Sequence, residues 1–485
     1  TKGYGLTFDL TKVTGETTVP ARYTDNVSRG GNPTLEAHAI DPCVVYDDKG
    51  DLWMSYGSWS GGISMIKLDP KTGLRDYSTS YKDTGNKVDA DGMISDPYTG
   101  YKIAGGTAVS GEGSYIQKIG DYYFLFLSYG GYDPKGGYNM RLFRSKDIKG
   151  PYLDALGKDA RTVVNSKAGD TTGTTGMRLV SFYKWNFAPY GYTAQGHNSA
   201  IVDPDSGKAF VIYHNKFNDG TAAHEVRNHQ LLVNEDGWIL AAPFEYAGET
   251  LSEKGYSQEL FTGDYGIMFQ RQNVDAAKLA CEEEQSIRLE SGTEVKDDTG
   301  RVTGYTGNIT GGYEGTWTSK AGTPYVSLKI GATTYKGVFC EGTIDETNVS
   351  AMTFTALGDN NQECLWGYKV KDPTQAIRLT LDKQIQLPDT VVKNLTLPAY
   401  GVGGSKITWK SNSVAISDDG KVFHLNEDAA AGLTATVSCG GYEYSRNYKF
   451  TVVGSGTLSQ QTEIPLKTFY KDKELDLSTL KQGQC

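Results

Sequence analysis

GEGSYIQKIGDYYFLFLSYG, residues Gly111–Gly130, is the stretch whose reading decides the fold. An apolar segment runs into the turn Lys118-Ile119-Gly120, and an aromatic-rich segment returns from it. Strand, Gly-containing turn and strand in that order predict a β-hairpin. Outward from it the same unit recurs on both sides. AIDPCVVYDDKGDLWMSYG (Ala39–Gly57) turns at Asp48-Lys49-Gly50, and GHNSAIVDPDSGKAFVIYHN (Gly196–Asn215) turns at Asp205-Ser206-Gly207. A hairpin repeated at domain-scale intervals predicts a β-propeller. Ahead of, or at, the first strand of each copy stands a different polar residue: Asp41, Glu112 and His197. Equivalent positions of propeller blades converge on one axis, so these three are expected to meet in a candidate active site.

Each copy continues into two more strand-like segments, GGISMIKLDPKTGL, GGYNMRLFRSKDIKGPY and HEVRNHQLLVNEDGWIL. Four strands make a blade, which gives about three blades where closed propellers have roughly four to eight. Residues 1–38 hold no further copy. The expectation is an all-β chain that enters its propeller partway, with the partial propeller over 1–250. A small β-barrel is expected over 251–375 and an Ig-like β-sandwich over 376–455, because short strands recur there at close spacing. Residues 456–485 read as a linker or the start of a further domain.

Composition narrows the partners. The 485 residues include 59 Gly and 32 Tyr and carry a formal net charge of −10. Excess negative charge argues against nucleic acid or an anionic membrane surface, while a neutral carbohydrate is compatible with it. No apolar run is long enough for a membrane span. The six cysteines follow no metal-binding spacing. Cys340 and Cys364 either pair or stay as buried thiols.

Glycoside hydrolysis needs one carboxylic acid to protonate the leaving oxygen and a second carboxylate to act at the anomeric carbon or on a water. Asp41 and Glu112 fit such a pair by position. From spacing alone a turn cap at Asp41 and a surface glutamate at position 112 fit as well. Trp59 suits stacking on a sugar or packing within a blade. His214, His224 and His229 read as mainly structural, and Trp409 as a core residue.

The stretches HAIDP, YGSWSGGI, GEGSYI, LSYGGYDPKGGYNMRLFRS, GHNSAIVD and HEVRNHQLLVNEDGW resemble glycoside hydrolase family 43, and within it the arabinanases that cut α-1,5-linked L-arabinan. The resemblance spans roughly residues 36–250, and the barrel resembles the accessory domain of two-domain arabinanases. It implies a five-bladed propeller and an inverting mechanism. Glu112 then matches the general acid, and Asp41 the carboxylate that orients that acid and tunes it. His197 matches the histidine at a central calcium, or sodium, with a water-rich shell. Trp59 and Ser58 fall where the family lines its sugar subsites, with Tyr138 and Asn139 as further substrate-binding candidates.

One element of the pattern is missing. The family's general base is an Asp in a His-Asp-Pro motif, and this sequence has none. The base is therefore expected from an N-terminal segment, in a second polypeptide if not in a longer form of this one. The appended domains imply an extracellular, cell-surface or periplasmic bacterial setting. A non-catalytic glycan-binding propeller, and a family 43 enzyme acting on xylan or arabinose side chains, are the competing expectations.

Overall fold

The computed structural model describes residues 12–13, 15, 17–18, 38–58, 61–105, 111–162, 175–271 and 274–461. Trp59, and residues 462–485 of the tail, lie outside them. The described chain is almost entirely β.

Each of the three hairpin units opens an antiparallel sheet. The first runs Cys43–Tyr46, Leu52–Ser58, Gly62–Leu68, Gly100–Ala104 and Ser95–Asp96 in spatial order. The second runs Glu112–Ile119, Tyr122–Tyr129, Asn139–Ser145 and Met177–Arg178. The third has Tyr192–Val202, Ala209–Phe217, His224–Val233 and Ile239–Ala241. These are the blade-like meanders the sequence predicts. The middle hairpin closes as read, Ile119 opposite Tyr122, with Gly120 supplying the positive φ of 57° that its turn requires.

The third sheet also joins the domains. On its far edge Tyr183–Lys184 pairs with Tyr192, and Glu282–Glu283 then adds in parallel. Apolar burial follows the same path. Trp185 and Phe244 meet Tyr368 at 5.1 and 5.2 Å between ring centroids. One buried cluster therefore runs from Phe126 and Leu142 of the second sheet through Val211 to Trp366 of the barrel.

That barrel is closed. From Gly263–Gln270 the order passes through Cys364–Val370, Ser350–Gly358, Thr333–Thr343, Tyr325–Ile330, Gly315–Lys320 and Val302–Gly311. It returns through Gln285–Leu289, where Ile287 stands opposite Gly311. Phe261 enters the interior, stacked on Phe339 at 4.6 Å and edge-on to Trp317 at 5.3 Å. Aromatic rings fill the barrel.

Cys340 and Cys364 do not pair: both are free, buried thiols. They sit opposite Thr353 and Leu357 on the two strands flanking Ser350–Gly358. Two strand spacings, about 9.6 Å, separate those flanking strands, beyond the reach of a disulfide. Cys340 Sγ instead contacts Thr353 Oγ1 at 2.8 Å.

The last domain is a four-stranded sheet in the order Thr390–Val391, Tyr442–Val452, Ala429–Cys439, Lys406–Ser411. One face packs Leu433 and Phe450 on Ala415 and Ile416. There the opposing layer of the sandwich is reduced, among the described residues, to a bridge between Ile416 and Val422. Farther along the same face, where Ala435 and Val437 alternate in step with Leu433, lies helix Pro373–Leu379, started by Asp372, whose side chain accepts from Thr374 N. This helix crosses the boundary expected at 375. Its Ile377 packs with Val437 of the Ig-like sheet while Ala376 and Leu379 join the cluster that holds Trp366 and Val370 of the barrel, so it bridges the two domains. Trp409 lies between the two clusters, donating to Pro398 O, as a core residue.

Candidate active site

Asp41, Glu112 and His197 do meet. Asp41 Oδ2 accepts from Gly113 N at 2.9 Å, which ties the first sheet to the residue beside Glu112. His197 Nε2 lies 3.8 Å from Asp41 Oδ1, and His197 Nδ1 lies 4.0 Å from Glu112 Oε1. Asp41 and His197 both adopt positive φ, 54° and 47°. Such backbone is uncommon for residues with a Cβ and is kept only where its surroundings enforce it. Here Ser128 Oγ accepts from His197 N at 2.6 Å, and register shifts lie on both sides of Gly196. The side chain of Glu112 is 22% exposed and that of His197 49%, so the trio is reachable from solvent.

Tyr138 binds the centre together. Its hydroxyl donates to Glu112 Oε1 at 2.6 Å and lies 3.1 Å from His197 Nδ1. A phenol has one proton to give, so with that proton on Glu112 the His197 Nδ1 is the donor of the second bond. That leaves Nε2 facing Asp41. Burial, followed by the bond to Glu112, raises the pKa of Tyr138 far above that of an ordinary phenol. It stays protonated throughout the working range.

Two glycines make room for this packing. A Cβ on Gly113, whose φ is +60°, would stand 3.2 Å from His197 Nδ1. One on Gly196 would stand 2.6 Å from Tyr138 Cε1. Behind Tyr138 the ring of His214 stacks at 5.4 Å, and burial pushes its pKa down to about 4. It is a neutral platform. His229 is fully buried against Ala242 O, whereas His224 is exposed.

The remaining candidates divide. Ser58 is buried at the end of its strand opposite Gly62, with no hydrogen bond to the trio among the described residues. Asn139 is turned into the fold: its amide donates to Gly137 O and Tyr129 O and accepts from Arg141 Nε. Its polar atoms serve the hairpin rather than the cleft. Sequence reading passed over Ser128, and also Ser55, whose hydroxyl meets that of Ser114 at 3.1 Å. Ser55 and Ser128 occupy the same Ser-Tyr-Gly position in two copies of the hairpin unit, a signal that was present in the sequence.

The comparisons agree along most of the chain. Glycosyl hydrolases family 43 matches residues 13–239, a C-terminal lipocalin-like domain of that family matches 243–367, and an atrophied bacterial Ig domain matches 370–455. An extracellular endo-α-(1→5)-L-arabinanase of Thermotoga petrophila is 36% identical over 72% of this chain and 68% of its own length. Extracellular endo-α-(1→5)-L-arabinanase 2 of Bacillus subtilis is 35% identical over 71% and 68%. Among solved structures, a family 43 glycoside hydrolase of Bacillus licheniformis superposes with a TM-score of 0.57 at 33% identity, covering 70% of this chain and 69% of that one. The T. petrophila arabinanase gives 0.57 at 34% identity over 70% and 69%. With these sheets, this centre and these relatives, the chain belongs to glycosyl hydrolases family 43.

Proposed function

We propose that this chain carries the proton-donating half of an inverting, extracellular hydrolase that cuts the α-(1→5) bonds of L-arabinan. The observation that carries the reading is the bond from Tyr138 to Glu112 Oε1. Because Oε1 accepts that bond, the proton of the acid form sits on Oε2, from which it passes to the leaving glycosidic oxygen. Asp41, through Gly113 N, holds the backbone beside the acid. The substrate follows from the two relatives named as endo-α-(1→5)-L-arabinanases.

Inversion also needs a carboxylate about 6.5–9.5 Å from the acid, with room for a water between them. We assign this base to a residue outside the described set, on a further N-terminal segment or on a second polypeptide. Exposed Val44, Tyr46 and Ile201 support this, because they are apolar side chains that further sheets of a five-bladed ring would cover. The described residues hold no group of three or more His, Cys, Asp or Glu able to grip a metal. His197 Nε2, facing Asp41, would give a single nitrogen contact, uncommon for a hard cation such as calcium or sodium, with water oxygens completing the shell. Such an ion would fix the ring and add positive charge beside the centre.

The test is Glu112→Gln in the full-length enzyme. Cleavage of linear arabinan should vanish while the melting temperature holds; retained cleavage would remove Glu112 from its role.

A further inference from the structure

The Ig-like domain carries a groove that the reaction centre does not use. It has a volume of about 330 Å³ and lies between helix Pro373–Leu379 and strand Tyr442–Val452. Ile377, Arg378, Leu381, Tyr442, Glu443 and Tyr444 line it. The register sets Tyr442 opposite Cys439 and Tyr444 opposite Val437. Alternate residues of a strand share one face, about 7 Å apart. On that face the helix, continued by the helical turn Thr380–Gln384, buries Ile377 and Leu381 against Ala435 and Val437. It stops short of the two tyrosines, which stay 57% and 60% exposed. The helix end is fastened to the same strand, since Arg446 and Tyr448 both donate to Leu381 O and Arg446 also donates to Asp382. The groove therefore has fixed walls.

Its chemistry selects an occupant. Two adjacent aromatic faces suit the C–H faces of successive sugar rings. Arg378 has no side-chain partner among the described residues, and a planar guanidinium of this kind reaches pairs of hydroxyls. Arg446, which also lines the groove, is already paired with Asp382, so no cluster of free like charges is present there to hold a simple anion, and a neutral polyol is favoured. The strand edge beside the groove is open, because Thr390–Val391 reaches only Thr451 and Val452. Glu443, Arg446 and Lys449 put charge along that stretch, which discourages addition of a protein strand.

We propose that this groove is a second sugar-binding site, taking a neutral polysaccharide chain stacked on Tyr442 and Tyr444. Tethered to a glycosidase, it raises the effective concentration of polymer at the catalytic domain. The proposal rests on the arabinan reading only for its first probe.

The experiment measures retention of the full chain carrying Glu112→Gln in gels containing linear arabinan, xylan or polygalacturonate, with affinities from titration calorimetry. Adding Tyr442→Ala and Tyr444→Ala should weaken binding of a neutral polysaccharide at least tenfold, with the melting temperature and circular dichroism unchanged. The paired Phe variants should retain the binding. Xylan held through the tyrosines in place of arabinan would support the groove and count against arabinan as substrate. Three outcomes overturn the proposal: equal retention by the Ala variant, retention of polygalacturonate alone, and no retention of any polysaccharide by the parent.

Discussion

The Tyr138 hydroxyl donates to Glu112 Oε1 at 2.6 Å, joining a residue expected to touch substrate to the residue expected to donate the proton. This bond makes Tyr138 a positioning residue. Tyr138→Phe removes one hydrogen bond to the carboxylate that Glu112 becomes as it gives up its proton, worth about 1.5–3 kcal/mol. In the complete enzyme kcat should fall roughly tenfold to a hundredfold, with KM for arabino-oligosaccharides nearly unchanged. A rise in KM at constant kcat would place Tyr138 in substrate binding instead.

Gly113→Ala tests the close approach of the second and third sheets. The new Cβ meets the His197 ring in a backbone of φ +60°. The combined strain and contact should cost about 1–3 kcal/mol and displace His197. Thermal unfolding and activity should drop together, and unchanged values in both would mean that the ring has room to move.

Glu284 makes stability depend on pH. It is buried where the domains meet, accepting from Asn186 N and from Tyr368 OH, and Tyr368 OH in turn accepts from Gly403 N. Burial raises its pKa from the ordinary 4.5 to about 8. Between those values the unfolded chain releases a proton that the folded chain keeps, so this group removes stability as pH rises through that window. The loss amounts to roughly 5 kcal/mol across the whole shift. Glu284→Gln should flatten the fall in melting temperature between about pH 5 and pH 8. A slope identical to that of the parent would assign the pH dependence elsewhere.

Two thiols, Cys340 buried and Cys281 half-buried, give a prediction about reactivity. Burial pushes Cys340 and Cys281 up to about 12, so neither supplies thiolate near neutral pH. Iodoacetamide should leave both unmodified in the native chain and label both in guanidinium, as read by peptide mass spectrometry. Reductant should leave the melting temperature unchanged, because the described cysteines are free.

The hairpin units, the closed barrel and the Ig-like strands were legible because strand alternation and Gly turns act over a few residues. Local signals of this kind need no knowledge of what lies across the core. The disulfide alternative at Cys340 and Cys364 failed for the complementary reason. Spacing in sequence does not say how many strands lie between two others.

The sequence alone determined that Asp41, Glu112 and His197 occupy matching ends of three hairpin units. Tertiary structure decided what they touch. That Tyr138 reaches His197 and that Ser128 fixes His197 N depend on the packing of one sheet against the next, while Tyr138 meets Glu112 across the second sheet itself. Contacts between sheets link residues dozens of positions apart, and no local period encodes their distances.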